Sequence, residues 1–365
     1  HSTSRRQRQM CIRDRNEIKF VDRWYESVKE ADYVCVLDTG STDGTFERFK
    51  ELGVITKQKK YKKFRFDKAR NDSLELVPEN TDICVCVDID EYFEKGWCKI
   101  LKENWTENTG RARYRYTWNF NPDGSEGYVF MADKMHKKGA FIWTHPVHEI
   151  LTQIDNNVYD TITLPGVQLN HKADNTKSRS SYLPLLELSL KERPNDDRNA
   201  HYLGREYMFN REYDKAIETL KYHLALPTAT WAEERCASLR FIALCYKYKG
   251  LYNLAEEYFL KAILECNYTR EAYFELALLY YEEKEFLKCA VTFEEMFKIK
   301  ERALTYISSP VCWGSLPYDY LSLAYYNIGE YSKALTNVEE AIKLSDDERL
   351  KNNKQAFLNL LNTKN

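Results

Sequence analysis

No apolar run in this 365-residue chain approaches the ~18 residues that a membrane-spanning helix needs. Nor is either charge in excess: 54 basic residues face 56 acidic ones, for a formal net charge of −2. Such a balance argues against a protein whose main business is gripping a polyanion, nucleic acid included. Paired CxxC zinc spacing is missing, and so is HExxH. No glycine- and lysine-rich activating loop supports phosphoryl chemistry. What is there is a composition 43% apolar and 14% aromatic, which builds real cores and excludes global disorder. The ten cysteines sit mostly inside apolar runs such as Ile83-Cys84-Val85-Cys86-Val87. That placement reads as small buried thiols in a reducing compartment, hence a cytoplasmic protein.

The first fifteen residues stand apart. They carry five arginines against one aspartate, with no apolar stretch of signal-peptide length behind them. Residues 1–15 read as an artefactual or truncated start, and no function is taken from them.

Two periods divide the rest. From about 16 to 175, short apolar runs alternate with turn residues. Tyr33–Leu37 (YVCVL) and Ile83–Val87 are continuous runs of strand length, each followed by an aspartate, and helix-like spacing lies between them. Strand, helix, strand with fully buried strands predicts a mostly parallel, Rossmann-like α/β sheet. From 176 to 365 the period becomes 3.6. Leu203, Gly204, Tyr207, Ala216 and Leu220 set a pattern of large, small, aromatic, small, large. It recurs from Ile242, from Leu276 and from Leu321 at the same offsets, with starts 39, 34 and 45 residues apart. Small residues let two antiparallel helices approach while large ones fill between them. The pattern closely resembles the tetratricopeptide repeat, about four copies, and implies an all-α solenoid that binds a peptide or protein or self-associates.

Chemistry concentrates after the two apolar strands. Asp88 and Asp90 in Val87-Asp88-Ile89-Asp90-Glu91 fall beyond a strand's carboxyl end, where open sheets bind ligands, and offer oxygens to a hard divalent ion. The alternative is a solvated turn or a helix cap. Asp38 ends the other strand and opens Asp38-Thr39-Gly40-Ser41-Thr42-Asp43-Gly44. Glycines and hydroxyls explain the turn, but not an acidic strand end opposite Asp88 and Asp90.

Asn16-Glu17, LDTGSTDGT (37–45), FDKARNDSL (66–74), VDIDEYF (87–93), HPVHE (145–149) and LNHKAD (169–174) occur in the order seen in family 2 glycosyltransferases. The chain resembles the bacterial group that joins this domain to tetratricopeptide repeats. The resemblance implies a GT-A fold, a nucleotide-diphosphate sugar donor (a UDP-sugar foremost) and Mn²⁺ or Mg²⁺ as cofactor, with inversion at the anomeric centre. On it, Asp38 receives the donor's base beside Glu17, Asp88 faces the donor ribose or sugar, and Asp90 holds the metal. Arg70 either orders the donor or pairs with a pocket carboxylate. His171 joins the metal or the diphosphate. Glu149 is the candidate base for the acceptor, Glu91 being left to structure. Trp143 is placed to stack on a sugar ring, with His148 beside the acceptor. The stretch Arg111–Asn121 interleaves cations with aromatics, a pattern that also suits RNA stacking, while alternation places Tyr114, Tyr116, Trp118 and Phe120 on one face, the alternative being core.

One departure stands out. A buried strand should precede Asn16-Glu17, yet Met10–Arg15 carries charges where apolar residues belong. The leading expectation is a metal-dependent inverting glycosyltransferase whose repeats recruit a peptide, protein or glycan-precursor acceptor and allow homo-oligomers. The alternatives are a non-catalytic repeat scaffold with a degenerate sheet domain, and a metal-dependent nucleotidyltransferase.

Overall fold

The computed structural model describes residues 8–172 and 182–364, with residues 8–14 and 363–364 as backbone alone. Ala173 and Asp174 of the LNHKAD motif, and the expected boundary at 175/176, fall outside the described residues. The chain divides into two compact units, His1–Ser189 and Leu190–Asn365.

The first unit runs β1 (Arg8–Asp14), α1 (Ile18–Val28), β2 (Tyr33–Asp38), α2 (Thr45–Glu51), β3 (Ile55–Gln58), α3 (Phe66–Leu74) and β4 (Ile83–Cys86). It continues through β5 (Glu91–Phe93), α4 (Trp97–Asn104), β6 (Thr109–Thr117), β7 (Val129–Lys137), β8 (Phe141–Thr144), β9 (Ile150–Gln153) and β10 (Asp160–His171). Eight strands form one sheet in the order β3-β2-β1-β4-β7-β6-β10-β5, and β8 and β9 make a separate hairpin. The half β3-β2-β1-β4 is parallel throughout, as the buried runs predicted. The other half is mixed, which corrects the expectation of a mostly parallel sheet. β7 lies antiparallel between β4 and β6, and β5 antiparallel to β10. The reason is the β6–β7 connection, which folds back on itself through the Phe120–Glu126 bridge. A return that short joins antiparallel strands, whereas parallel neighbours need a longer crossover. Despite its charges, the segment before Asn16 is a strand at the centre of the parallel half, paired on both sides.

Apolar side chains explain the layers. Val21, Trp24 and Val28 of α1 meet Val36, Val85, Tyr114 and Tyr116 in one core. Burial of such large side chains stabilises by about 1.5–3 kcal/mol each. Tyr114 and Tyr116 are thus core, as the alternation on their strand predicts, while Trp118 and Phe120 beyond them reach solvent. The β8–β9 hairpin closes a second, smaller core with Cys84, Cys86 and Val77.

α5 (Tyr182–Glu192) leads into the second unit, which is helical. Four hairpins follow: α6 (Asp197–Phe209) with α7 (Tyr213–Ala225), α8 (Ala232–Tyr248) with α9 (Tyr252–Glu265), α10 (Glu271–Glu282) with α11 (Phe286–Met296), and α12 (Leu316–Asn327) with α13 (Tyr331–Leu344). α14 (Glu348–Lys364) closes the array. Every residue of the four sequence quintets is buried except the half-buried Tyr246. Gly204 shows why small residues recur: a Cβ there would meet Leu220 Cγ at 2.5 Å. The 45-residue spacing is taken up by the connector between α11 and α12, which is not a slack loop. Its Tyr306 stacks on Tyr202 of α6 and donates its hydroxyl to Glu234 of α8. Arg270, one residue before α10, donates to the connector carbonyls of Ile299 and Cys312 and lies 3.7 Å over the Trp313 ring.

Among the described residues nine cysteines are free and buried, and no helix is long and apolar enough to cross a membrane.

Candidate functional site

Three adjacent parallel strands, β2, β1 and β4, share one carboxyl edge, with Asp14 in register with Asp38. The segments that follow them therefore leave the sheet together, which is where open sheets bind ligands. Two of these loops are stitched to each other. The Asn16 amide donates to Ser41 Oγ at 2.8 Å, the Thr42 amide to Asn16 Oδ1 at 2.8 Å, and the Glu17 amide to Thr45 Oγ1 at 2.9 Å. Gly40 adopts φ +111°, a left-handed conformation that glycine takes without strain.

That turn wraps the Asp38 carboxylate. Oδ2 accepts from the amides of Gly40 and Ser41, each at 2.9 Å, and from Gln58 Nε2 at 2.7 Å. Oδ1 is buried with no hydrogen-bond partner. A buried acceptor left bare costs free energy unless a donor arrives, and Asp38 Oδ1 has the capacity to accept an N–H or O–H. Glu17, also buried, begins α1 next to this turn.

Past β4, Asp88 is held by cations. Its Oδ2 accepts from Arg70 at 2.9 Å and from Lys134 Nζ at 3.3 Å. Arg70, on α3, also donates through Nε to Glu149 Oε1 at 2.5 Å, so one guanidinium spans both carboxylates. Burial alone would push the Arg70 pKa down, but the charges of Asp88 and Glu149 outweigh it and keep the group protonated. Of the two roles open to Arg70, it takes the pairing with carboxylates, Asp88 and Glu149. Glu91 is buried and structural: it accepts from Tyr116, Lys134 and the Asp88 amide at 2.6, 2.6 and 2.8 Å.

Asp90 meets the end of β10. Its Oδ2 lies 3.0 Å from His171 Nε2, and His171 Nδ1 lies 2.8 Å from the Trp118 carbonyl. Nδ1 is anchored on a carbonyl and Nε2 is hydrogen-bonded to Asp90. Burial alone would lower the His171 pKa, but that bond and the Asp90 charge outweigh it and raise it; a metal ion would take the place of the shared proton. The 3.0 Å separation is an ordinary hydrogen-bond length, and it also matches the edge of an octahedron with metal–ligand bonds of about 2.1 Å. Asp90 and His171 therefore fit a divalent ion held between them.

The HPVHE segment links β8 to β9. His145 and His148 both have left-handed backbone, at φ +82° and +50°, a strained state for these residues. His148 rests 5.8 Å from the Tyr182 ring. Trp143 is buried, with the Arg70 guanidinium 4.8 Å over its ring and its backbone doubly bonded to Asn71. It supports Arg70 from within the small core, where stacking on a sugar had been expected. The exposed indole is Trp118, 38% exposed and 4.6 Å from the His171 ring. Lys134 and Gln58 are residues around the site that sequence reasoning passed over, and Trp118, read there with the core face, is exposed instead. The one signal for Trp118 was its place at the end of the cation–aromatic alternation.

No family model matches the chain, and no curated protein matches it. Solved structures that it resembles include MamA (TM-score 0.36, 23% identity, 46% of this chain and 82% of that one). PilF of Pseudomonas aeruginosa follows at TM-score 0.38 and 14% identity over 48% of this chain and 71% of that one. YrrB, described as a TPR protein with an unusual peptide-binding site, gives 0.35 and 15% over 47% of this chain and 80% of that one.

Proposed function

We propose that the chain is a metal-dependent glycosyltransferase of GT-A type that takes a sugar from a nucleotide diphosphate, a UDP-sugar foremost. The reading is supported by one observation above the rest. A bare buried Asp38 oxygen and an Asp90–His171 pair of ligand geometry follow strands of one sheet edge. Asp38 accepts the imino proton of the base, with Glu17 walling the same turn. Asp88, fixed by Arg70 and Lys134, accepts from donor hydroxyls. Asp90 and His171 hold Mn²⁺ or Mg²⁺, which when bound neutralises the departing diphosphate. Glu149, positioned by Arg70, takes the acceptor's proton, and His148 borders the acceptor. The helical repeats recruit that acceptor, a peptide, protein or glycan precursor.

Thermal stabilisation by UDP with Mn²⁺ tests this. Ligand at about 100 times its dissociation constant should add roughly 2.7 kcal/mol to the parent chain. Asp90→Ala should abolish the metal-dependent part. Equal shifts in both proteins would remove Asp90 and the metal from the reading.

A second reading, a repeat scaffold without catalysis, is favoured by the helical unit itself, since hairpin arrays hold partners and carry no chemistry of their own. On it, Asp90→Ala leaves partner binding unchanged and no nucleotide stabilises the chain.

A further inference from the structure

Antiparallel helices return the chain to the same end of a hairpin, so the start of α6, the end of α7 and the start of α8 meet. Asp197, His223 and Glu234 occupy these three places, and one ligand atom of each lies within 4.8 Å of the others. His223 is fully buried. Its Nε2 sits 3.5 Å from Glu234 Oε1 and forms no hydrogen bond, a bare imidazole nitrogen aimed at carboxylates.

We propose that Asp197, His223 and Glu234 bind a divalent transition-metal ion of the zinc class, pinning α6, α7 and α8 together. One imidazole with two carboxylates is a borderline donor set that suits Zn²⁺. The 3.5 Å between His223 and Glu234 is close to the tetrahedral edge of about 3.3 Å set by metal–ligand bonds of about 2.0–2.1 Å.

The surroundings supply what ligating groups need. Ser238 Oγ lies 2.9 Å from His223 Nδ1 and 2.7 Å from His201 Nδ1. A hydroxyl has one proton to give. When it is given to His201, His223 carries its own proton on Nδ1 and turns the Nε2 lone pair towards the carboxylates. Glu234 is fixed through its second oxygen, which accepts the Tyr306 hydroxyl. Asp197, half-buried in the first turn of α6, gives the site its access to solvent.

The site is independent of the sugar-transfer reading, and the test separates them. The full chain carrying Asp90→Asn, stripped with chelator, is titrated with ZnCl₂ by calorimetry while helicity is followed by circular dichroism. One Zn²⁺ per chain is expected, undiminished by millimolar Mg²⁺. Asp197→Asn, which keeps size and exposure, should bind it about tenfold or more weakly, since even outer-shell losses cost 10- to 100-fold. His223→Gln should do the same if it folds; Asp197→Asn decides if it does not. No Zn²⁺ binding above background in the Asp90→Asn chain overturns the proposal. So does a folded Asp197→Asn chain that binds Zn²⁺ within twofold of its parent.

Discussion

Asp38→Asn is the sharpest perturbation of the candidate donor pocket, because it changes one atom and inverts the polarity of one position. In the parent, Oδ2 is committed to Gly40, Ser41 and Gln58, and Oδ1 is the bare acceptor. An asparagine keeps its carbonyl towards those three donors, which places its NH₂ where Oδ1 had been. Three charge-assisted bonds become neutral ones, each about half as strong. Removing an uncompensated buried charge offsets much of that, so folding should weaken by no more than about 1–2 kcal/mol. On the proposed reading, uracil presents a ring N–H to this position, and the variant answers it with another N–H. Losing a hydrogen bond to a charged group costs about 1.5–3 kcal/mol, which is roughly 10- to 150-fold in the dissociation constant of UDP. Cytosine presents a ring nitrogen acceptor, so CDP should gain relative to UDP in the variant. Calorimetric titration of UDP and CDP with Mn²⁺ into both proteins reads the ratio. A folded Asp38→Asn chain that binds UDP within about threefold of the parent would refute the assignment of Asp38 to the base.

Two further predictions concern stability. Gly204→Ala places a methyl group 2.5 Å from Leu220 Cγ, so overpacking should cost the helical unit about 1–3 kcal/mol in urea unfolding; a loss below about 0.5 kcal/mol would show that α6 and α7 part easily. Asp72 accepts from Lys59 Nζ and Tyr61 Oη, both at 2.6 Å. Burial alone would raise its carboxyl, but these bonds outweigh it and hold the pKa below the ordinary 3.8. A depressed acid contributes stability that is full above 3.8 and lost as pH falls through the lower folded value. Asp72→Asn should therefore destabilise at pH 7 by about 1–3 kcal/mol, and the difference should shrink as pH falls below the ordinary 3.8. A gap between the two proteins that stays constant from pH 7 to pH 3 would exclude the mechanism.

The helical unit was legible because its code is volumetric. Leu203 with Gly204, or Phe293 with Cys289, states which faces touch, and burial follows directly. The parallel half of the sheet was legible because strands covered on both faces show as unbroken apolar runs. The mixed half was not, since β6 alternates apolar with polar residues, β7 (VFMADKMHK) has no strict alternation, and their partners are set by a returning connection. β1 carries charges, yet lies between two strands that supply its hydrogen bonds, and a single segment cannot display that. At the site, Asp38, Asp88 and Asp90 were readable as acidic strand ends. The exchange of Trp143 for Trp118 was not, because it depends on a separate hairpin covering α3 and burying one indole. Lys134 escaped for a similar reason: it reaches Asp88 across the β4–β7 pairing, 46 residues away in sequence.

The connector between α11 and α12 alters how the repeat array can come apart. A stack of hairpins joined only to its neighbours behaves like a row of dominoes, free to lose one end while the middle stands. Here a segment from the far half of the row reaches back to Tyr202 and Glu234 in the first two hairpins, and to Arg270 before the third. The row is thereby closed on itself like a strap through its own buckle. Fraying of the first hairpin releases the strap, and the strap's release loosens α10. The hairpins this chain carries are therefore not interchangeable modules: none of the first three can be trimmed, swapped or duplicated without undoing a tie made elsewhere.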